Sequence, residues 1–212
     1  MKKAFVLLLK GILTLHTFSY RATAIVSKYV EPGSTHPKHR LMRYHAFFVD
    51  RVQKGDTVVD IGCGKGELAF DVAKKAKEVV GIDMKKSSIA KAQRDYSAPN
   101  ISYFVGDATK ELGNKKFNVA ILSNVLEHIQ NRTTFLKSIK PLADIFLIRV
   151  PMINRDWITL YKKELGLEWR LDNTHETEYT LEQLQDELDQ AGFILQEHSI
   201  QFGEIWAVAQ KK

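Results

Sequence analysis

Cysteine is nearly absent from this sequence. Cys63 is the single cysteine among 212 residues. One cysteine cannot form a disulfide within the chain, and it cannot build a cysteine-based zinc cluster. The composition therefore excludes a small disulfide-stabilised scaffold and favours a reducing compartment, so we expect a cytoplasmic protein.

Long apolar runs are also missing. No stretch reaches the roughly 18 uninterrupted apolar residues that a membrane-spanning helix needs, because Lys10 and Gly11 interrupt the apolar N-terminal run. Residues Ala22–Ala24 resemble the cleavage site of a secretory signal, but the interrupted run argues against secretion. We expect residues 1–50 to form an N-terminal helical extension. It remains open whether this extension packs on the domain, lies on a membrane surface or contacts a partner subunit, including a second copy in a homodimer.

The sequence has no internal repeat and no dense block of one charge. It carries 31 Lys and Arg against 25 Asp and Glu, which gives a formal net charge of +6. The lysines are spread in short pairs such as Lys74–Lys75 and Lys162–Lys163, a pattern typical of a solvated basic surface. The charge permits a nucleic-acid or phosphate-bearing partner, but the pattern does not indicate one.

From residue 55 onward, short apolar or β-branched runs alternate with helical patterns. The predicted strands are Thr57–Ile61, Glu78–Ile82, Ile101–Val105, Phe117–Leu122 and Ile145–Val150. Such alternation predicts an α/β fold with a doubly wound, mostly parallel sheet and helices on both faces. We therefore expect residues 51–212 to form one domain.

The C-terminal part has a different pattern. Thr180 and Gln183 have the spacing of a capping box at the start of a helix, and Gly192 would end that helix. Two further strands follow at 193–200 and 204–210, and three residues separate them. A connection this short predicts an antiparallel hairpin, which brings the sheet to seven strands.

The stretch VVDIGCGKGELAF, residues 58–70, places Gly62, Gly64 and Gly66 between a predicted strand and a predicted helix. A glycine-rich turn at this point is the ligand site of doubly wound folds. The dinucleotide fingerprint G-x-G-x-x-G is not met, because the third glycine comes one residue early, and the P-loop pattern is missing. The loop is suited to close approach of its backbone to a ligand, and pyrophosphate is the less favoured ligand.

Three aspartates accompany the glycine loop. Asp60 lies on the first strand, Asp83 follows the second and Asp107 follows the third. One such aspartate is usually a helix cap or a turn residue. Three at successive strand ends predict a site for a nucleoside that carries a cationic tail, with Asp83 placed to accept ribose hydroxyls.

The motifs DIGCGKG, GIDM, GDA and FNVAILSNVLEHI follow one another from residue 60 to residue 129. In this order they resemble the nucleotide-site motifs of class I S-adenosylmethionine-dependent methyltransferases. The resemblance runs from about residue 55 to the C-terminus and implies a Rossmann-like seven-stranded sheet. It also implies S-adenosylmethionine as cofactor and S-adenosylhomocysteine as product.

The resemblance assigns particular residues to the cofactor. Those at its amino-acid and methionyl end are Asp60, Gly62, Cys63, Gly64, Ser123 and Asn124. Those at its ribose and adenine are Asp83, Met84, Asp107 and Ala108. The glycines would let the backbone approach the methionine portion.

A second group of residues could act on the methyl acceptor. A hydroxyl acceptor needs a base, and histidines or carboxylates that follow the fourth and fifth strands are the candidates. They are Glu127 and His128 after the fourth strand and His175 in a predicted lid at 151–179. His128 could instead shape the pocket. Related RNA 2′-O-methyltransferases bind a metal through Glu-x-x-Glu-His, but Asn124 replaces the first glutamate here, so no metal ligand is assigned.

The acceptor itself stays open. Residues 35–45, rich in histidine and arginine, together with HETEYT and FGEIWAV, resemble methyltransferases of surface-glycan synthesis. This resemblance implies a sugar hydroxyl on a glycan or glycolipid precursor. The alternatives are a phenol- or quinone-type small molecule, an RNA ribose, and a non-catalytic module that only binds S-adenosylmethionine.

Overall fold

The computed structural model describes residues 1–31 and 36–212. Its centre is a seven-stranded sheet in the order β3-β2-β1-β4-β5-β7-β6. The strands are β1 (Thr57–Ile61), β2 (Glu78–Asp83), β3 (Ile101–Val105), β4 (Phe117–Ser123), β5 (Ala143–Pro151), β6 (Phe193–Gln201) and β7 (Glu204–Lys211). Strands β1 to β5 are parallel, whereas β7 runs antiparallel to both β5 and β6.

The α-helices of the described residues connect and cover these strands. They are α1 (Lys2–Val30), α2 (Lys38–Met42), α3 (Tyr44–Asp50), α4 (Glu67–Ala73), α5 (Lys86–Asp95), α6 (Ala108–Glu111), α7 (Arg132–Ile139), α8 (Trp157–Glu164) and α9 (Leu181–Ala191). Short 3₁₀ turns occupy Leu126–His128 and Lys140–Leu142.

The sheet is packed on both faces. On one face, α3, α4 and α5 contribute Phe48, Val72 and Ile89 to a buried cluster. On the other face, α7 and α9 contribute Leu136 and Leu184. This confirms the predicted doubly wound α/β fold with seven strands and a C-terminal hairpin, and the observed strand ends lie within two residues of the predicted ones.

The capping box predicted at α9 is only half formed. The Thr180 hydroxyl accepts the N–H of Gln183 at 3.2 Å, as the pattern indicates. The Gln183 side chain, however, donates to the Thr177 hydroxyl instead of returning to Thr180. A preceding polar residue therefore competes for the glutamine.

The N-terminal extension contains α1, α2 and α3. Helix α1 has one buried residue, Leu13, and it contacts α8 through Thr17 and Lys162. Within residues 1–31 and 36–212, no helix combines the length and the apolarity that crossing a bilayer requires. Helix α3 packs into the core, where Phe47 contacts Trp206 of β7.

The strand order determines where a ligand site lies. Connections leave β1 and β4 in opposite directions along the sheet, so their carboxyl ends form the switch point at which doubly wound folds bind ligands. The loops after β1, β2, β3 and β4 all meet at this edge.

Candidate active site

Two cavities open at the carboxyl edge of the sheet. The β2–β3 cavity, of about 310 Å³, has Asp83, Met84, Asp107, Ala108 and His128 among its lining residues. The α2–α3 cavity, of about 330 Å³, lies between the glycine loop and the N-terminal segment that carries α2 and α3. Gly62 and Asn124 line both cavities, so the two meet at the switch point.

All ten residues that the sequence assigned to a cofactor line one of these cavities. Those beside the β2–β3 cavity are Gly62, Asp83, Met84, Asp107, Ala108 and Asn124. Those beside the α2–α3 cavity are Asp60, Gly62, Cys63, Gly64, Ser123 and Asn124. The predicted adenosine contacts all line the β2–β3 cavity and the predicted amino-acid contacts all line the α2–α3 cavity, while Gly62 and Asn124 are shared by both. Their individual roles stay predictions.

The glycine loop is bound closely to its neighbours. Gly62 has a φ of +71°, and a Cβ there would lie 2.7 Å from Cγ2 of Val125. Gly64 has a φ of +56°, and its N–H donates to Oδ2 of Asp83 at 2.9 Å. Both positions need left-handed backbone that other residues adopt at a cost. The loop is thereby held against the ends of β2 and β4.

Asp60 has an unusual environment. It is only 1% exposed, and its Oδ2 has no hydrogen-bond partner among the described residues. Burial, with a smaller contribution from the nearby Asp83 carboxylate, raises the pKa of Asp60 to about 8. A buried, unpaired carboxylate on a cavity wall is a place for a cationic hydrogen-bond donor.

Asp83 and Asp107 already have backbone partners. Asp83 accepts the N–H of Lys85 at 2.7 Å in addition to that of Gly64. Asp107 caps α6 by accepting the N–H of Thr109 at 2.9 Å, and hydrogen bonds from Thr109 lower the pKa of Asp107. A carboxylate has about four acceptor positions, so neither residue is saturated. For Asp107, the helix-cap interpretation holds alongside its position on the cavity wall.

The N-terminal segment contributes a wall of the α2–α3 cavity. Lys38, His39 and Tyr44 line the α2–α3 cavity, whereas Thr35 lies outside the described residues. Tyr44 is hydrogen-bonded to Nδ1 of His39 at 3.0 Å. Burial lowers the pKa of His39 to about 4, which leaves this imidazole neutral at pH 7.

Arg149 supports this wall from the sheet. Its guanidinium lies 3.8 Å from the centre of the Tyr44 ring and donates to Oε1 of Glu204 at 2.6 Å. Both charged residues are buried. The sequence did carry a signal for Arg149, because an arginine inside the otherwise apolar strand FLIRVP is rarely buried without a partner.

The two predicted catalytic clusters come together. Ligand atoms of Glu127, His128 and His175 all lie within 4.8 Å of one another, and the two imidazole centres are 4.8 Å apart. His128 is exposed and lines the β2–β3 cavity. His175 is 6% exposed, lines neither cavity, and lies behind His128. Two imidazoles and a carboxylate are also a donor set that first-row cations accept.

Glu178, one of the two glutamates close to His175 in the sequence, contacts that histidine. Its Oε1 lies 3.0 Å from Nδ1 of His175 and accepts the N–H of Leu171 at 2.6 Å. Its other oxygen pairs with Arg155. A carboxylate on Nδ1 fixes the orientation of an imidazole and its tautomer. The His-x-x-Glu spacing was the available signal.

Glu127 joins the loop after β4 to the predicted lid. Its Oε1 accepts Nδ2–H of Asn124 at 2.6 Å, and its Oε2 has no partner among the described residues. Burial raises the pKa of Glu127. The Glu127 carbonyl also accepts the N–H of Glu176 at 2.7 Å. The segment that carries His175 is therefore bound to the segment that carries His128.

The lid aromatics do not form a wall of either cavity. Trp157, Tyr161, Trp169 and Tyr179 of the predicted lid line neither cavity. Tyr179 is buried in the core and donates its hydroxyl to Glu187. Tyr179 therefore packs the lid segment onto the sheet.

Comparison with known proteins identifies the family. A family model described as a methyltransferase domain matches residues 34–198. The chain belongs to this methyltransferase family. A ubiquinone biosynthesis O-methyltransferase of Bradyrhizobium diazoefficiens is 30% identical over 132 residues, which cover 58% of this chain and 51% of that protein. A probable (S)-tetrahydroprotoberberine N-methyltransferase of Papaver bracteatum is 31% identical over 102 residues, 45% of this chain and 28% of that protein.

The chain thus spans about half, or less, of the length of these curated relatives. Among solved structures, magnesium protoporphyrin IX methyltransferase from Synechocystis PCC 6803 with bound S-adenosylhomocysteine aligns with a TM-score of 0.64. That alignment has 19% identity and covers 82% of this chain and 83% of the other. The chain therefore belongs to a family of methyltransferase domains and has the fold of a structure solved with S-adenosylhomocysteine.

The residues of the site fit S-adenosylmethionine, the cofactor that the sequence motifs imply. The unpaired Oδ2 of Asp60 is a suitable acceptor for the α-ammonium of the methionyl group, and burial without that partner would be costly. Asp83 retains acceptor capacity for ribose hydroxyls.

Proposed function

We propose that this methyltransferase transfers a methyl group from S-adenosylmethionine to a hydroxyl of a small acceptor of the phenol or quinol type. The observation that carries the proposal is the position of His128, an imidazole on the wall of the β2–β3 cavity beside the switch point. The cofactor supplies an activated methyl group on a sulfonium. The chain's own residues hold the cofactor, orient the acceptor and remove the acceptor's proton.

Asp60 would hold the ammonium of the cofactor, and Asp83 would hold its ribose. Holding the reacting groups in line is the main contribution of such an enzyme and supplies roughly 7–11 kcal/mol. The loops after β1 and β4 approach closely here, because a Cβ at Gly62 would lie only 2.7 Å from Cγ2 of Val125.

His128 would accept the hydroxyl proton. Its Nδ1 lies 3.2 Å from the Thr174 hydroxyl, which leaves Nε2 as the nitrogen available to an acceptor. As His128 becomes positive, the neighbouring carboxyl of Glu127 would stabilise it. His175, held by Glu178, packs edge-on against His128 and limits its rotation. In this assignment His128 is the catalytic base and His175 is a positioning residue.

An aromatic acceptor suits the surroundings of His128. Val125, Ile129 and Phe135 line the same cavity and present apolar surface. A flat, mainly apolar ring with one reacting hydroxyl matches such walls better than a polyol does. The relatives include O- and N-methyltransferases of small molecules.

A sugar hydroxyl is the second candidate. The observation that favours it is the polar lining of the α2–α3 cavity by Lys38, His39 and Tyr44. A cytoplasmic reaction belongs to the same proposal, because the single cysteine suits a reducing compartment.

The test is labelled-methyl transfer to a catechol, a hydroquinone, free sugars and a short RNA. We expect turnover with the phenolic acceptors. His128→Asn should lower kcat by about 10²–10⁴-fold because the base is lost. The affinity for S-adenosylhomocysteine, measured by calorimetry, should not change. His198→Asn, an exposed histidine on β6, is the matched control.

Three outcomes would contradict the proposal. Cofactor binding without turnover on any acceptor would indicate a binding module. Turnover restricted to sugars would establish the second candidate. Loss of activity with a chelator, restored by a divalent cation, would make His128 a metal ligand instead of a base.

A further inference from the structure

Helix α1 lies outside the matched methyltransferase region, which begins at residue 34. It has 29 residues and is therefore about 44 Å long. Its inner side is attached to the body by polar contacts. Nζ of Lys162 is 3.0 Å from Nδ1 of His16 and 2.9 Å from the Thr17 hydroxyl, and Arg21 donates to the Arg170 carbonyl.

The outer side of α1 is apolar over its whole length. At about 100° per residue, one group of apolar side chains falls within a sector about 100° wide, opposite the buried Leu13. Among its members, all exposed, are Leu8, Leu15, Phe18, Ile25, Val26 and Tyr29. The contacts at His16 and Thr17 thus orient an uninterrupted apolar stripe away from the protein.

The charges of α1 are all of one sign. Residues 2–30 contain five basic residues and no aspartate or glutamate. Four of them, Lys3, Lys10, Arg21 and Lys28, project within about 20° of one another, along one flank of the apolar stripe. A helix with an apolar face and a basic flank has the two features that bind an interface between anionic headgroups and acyl chains.

We propose that α1 binds the surface of an anionic lipid bilayer, with its axis in the membrane plane and the stripe of Leu8, Leu15, Phe18, Ile25, Val26 and Tyr29 in the headgroup–acyl boundary. This inference does not rest on the proposed acceptor. Charge complementarity selects the lipid surface over a second copy of the chain. Two α1 helices packed through their stripes would bring like charges together and offer no acidic partner.

The attachment of α1 also connects the lipid surface with the active site. The Arg170 carbonyl receives Arg21 of α1, and the Arg170 guanidinium donates to the carbonyl of His175 at 2.9 Å. One residue therefore lies between the membrane helix and the histidine that positions His128. A bound membrane would lie near the side of the molecule from which the lid segment reaches the site.

The test is flotation of the full chain with vesicles of phosphatidylcholine, with and without phosphatidylglycerol. We expect flotation with the anionic vesicles, weakening as salt is added. Phe18→Ser/Ile25→Ser should abolish it, because two apolar anchors, 69% and 59% exposed in the free protein, are removed. Ile194→Ser, at a 44% exposed isoleucine on β6, is the matched control and should float normally.

The charge contribution is tested separately. Lys3→Gln/Lys10→Gln should weaken binding to anionic vesicles by roughly 25-fold, about fivefold for each charge. Lys54→Gln/Lys77→Gln removes two exposed lysines outside α1 and should have little effect. Circular dichroism and S-adenosylhomocysteine affinity check that each variant is folded. If the Phe18/Ile25 variant is not folded, Leu8→Ser/Leu15→Ser replaces it.

The proposal is wrong if the native chain does not float with anionic vesicles, or floats equally with neutral ones. It is also wrong if sedimentation shows a dimer that Phe18→Ser/Ile25→Ser dissociates, since a second copy would then cover the stripe. Methyl transfer to a water-soluble acceptor should be the same in all these variants, so failure here is distinct from failure of the proposed function.

Discussion

At the scale of single residues, the buried carboxyl of Asp60 lowers the stability of the free protein near neutral pH and is the proposed acceptor for the ammonium of the cofactor. Its carboxyl is buried beside Asp83, and its raised pKa means that the folded chain holds this proton more tightly than the unfolded chain does. Between about pH 4 and about pH 8 the folded state therefore binds more protons, and the contribution of Asp60 to stability falls as pH rises. A bound ammonium group would stabilise the charged carboxylate and offset the cost of burying it.

This gives a prediction on pH dependence. Cofactor binding favours the charged form of Asp60, so the affinity for S-adenosylhomocysteine should rise from about pH 6 to about pH 8, by at most tenfold per unit. Binding at pH 7 should release protons. Calorimetry in buffers of different ionisation enthalpy measures both effects.

Asp60→Asn should weaken cofactor binding and remove its pH dependence, while raising the melting temperature of the free protein at pH 7. Asp186→Asn, on the exposed side of α9, is the control. If the affinity of Asp60→Asn for S-adenosylhomocysteine kept the same pH dependence, the assignment of the ammonium group to this residue would be wrong.

At the scale of elements, the glycine loop and the loop after β4 depend on each other. The space for a Cβ at Gly62 is occupied by Val125, whereas a Cβ at Gly64 would have no atom within 4 Å outside its immediate neighbours. A substitution at Gly64 thus tests backbone strain alone, whereas a substitution at Gly62 tests backbone strain together with steric contact.

Gly64→Ala should cost about 1–2 kcal/mol of the free energy of unfolding, because only the left-handed backbone is strained. Gly62→Ala should cost a further 1–3 kcal/mol or so from overpacking against Val125. Urea denaturation measures both. In a Val125→Ala background the excess cost at Gly62 should shrink, and equal costs in the two backgrounds would argue against the contact.

The elements themselves were predictable from local patterns. Apolar runs bounded by turn residues gave β1 to β5 nearly residue by residue, since burial on both faces of a parallel sheet leaves a strong signal. The half-formed capping box at Thr180 was not predictable, because the competing Thr177 hydroxyl is placed by the course of the lid.

At the scale of the whole molecule, a buried ion pair connects the sheet with the N-terminal segment. Arg149 of β5 pairs with Glu204 of β7, two strands that run antiparallel side by side. Arg149 also stacks on Tyr44 of α3. The pair therefore joins the predicted N-terminal extension, the parallel part of the sheet and the C-terminal hairpin.

Arg149→Leu should lower the free energy of unfolding by about 3–5 kcal/mol, because Glu204 would be left buried without a cationic partner. The double variant Arg149→Leu/Glu204→Leu should be more stable than the single one, as it removes both charges. Urea denaturation again decides. A double variant less stable than Arg149→Leu would mean that Glu204 acts chiefly through other contacts, such as the one from the Trp206 indole N–H at 3.1 Å.

The sequence predicted the site residues that directly follow strands, but not the contacts between segments that are far apart in the chain. Residues that follow strands in the motifs could be assigned, because parallel strands bring their carboxyl ends to one edge. The contact between His128 and His175, 47 positions apart, depends on how the segment after β5 returns to the sheet, and no local pattern encodes that path. Arg149 was missed because its partner Glu204 lies 55 positions away, whereas the contact between His175 and Glu178 spans only three positions.

Lys162 carries a consequence for the ancestry of this chain. Both acceptors recorded for its buried amine among the described residues, His16 and Thr17, belong to α1. Without α1 this ammonium would face water, which solvates a lysine at no cost of burial. The lysine at 162 is therefore compatible with chains that have α1 and with chains that lack it, so gain or loss of the first thirty residues in evolution needs no matching change at this position.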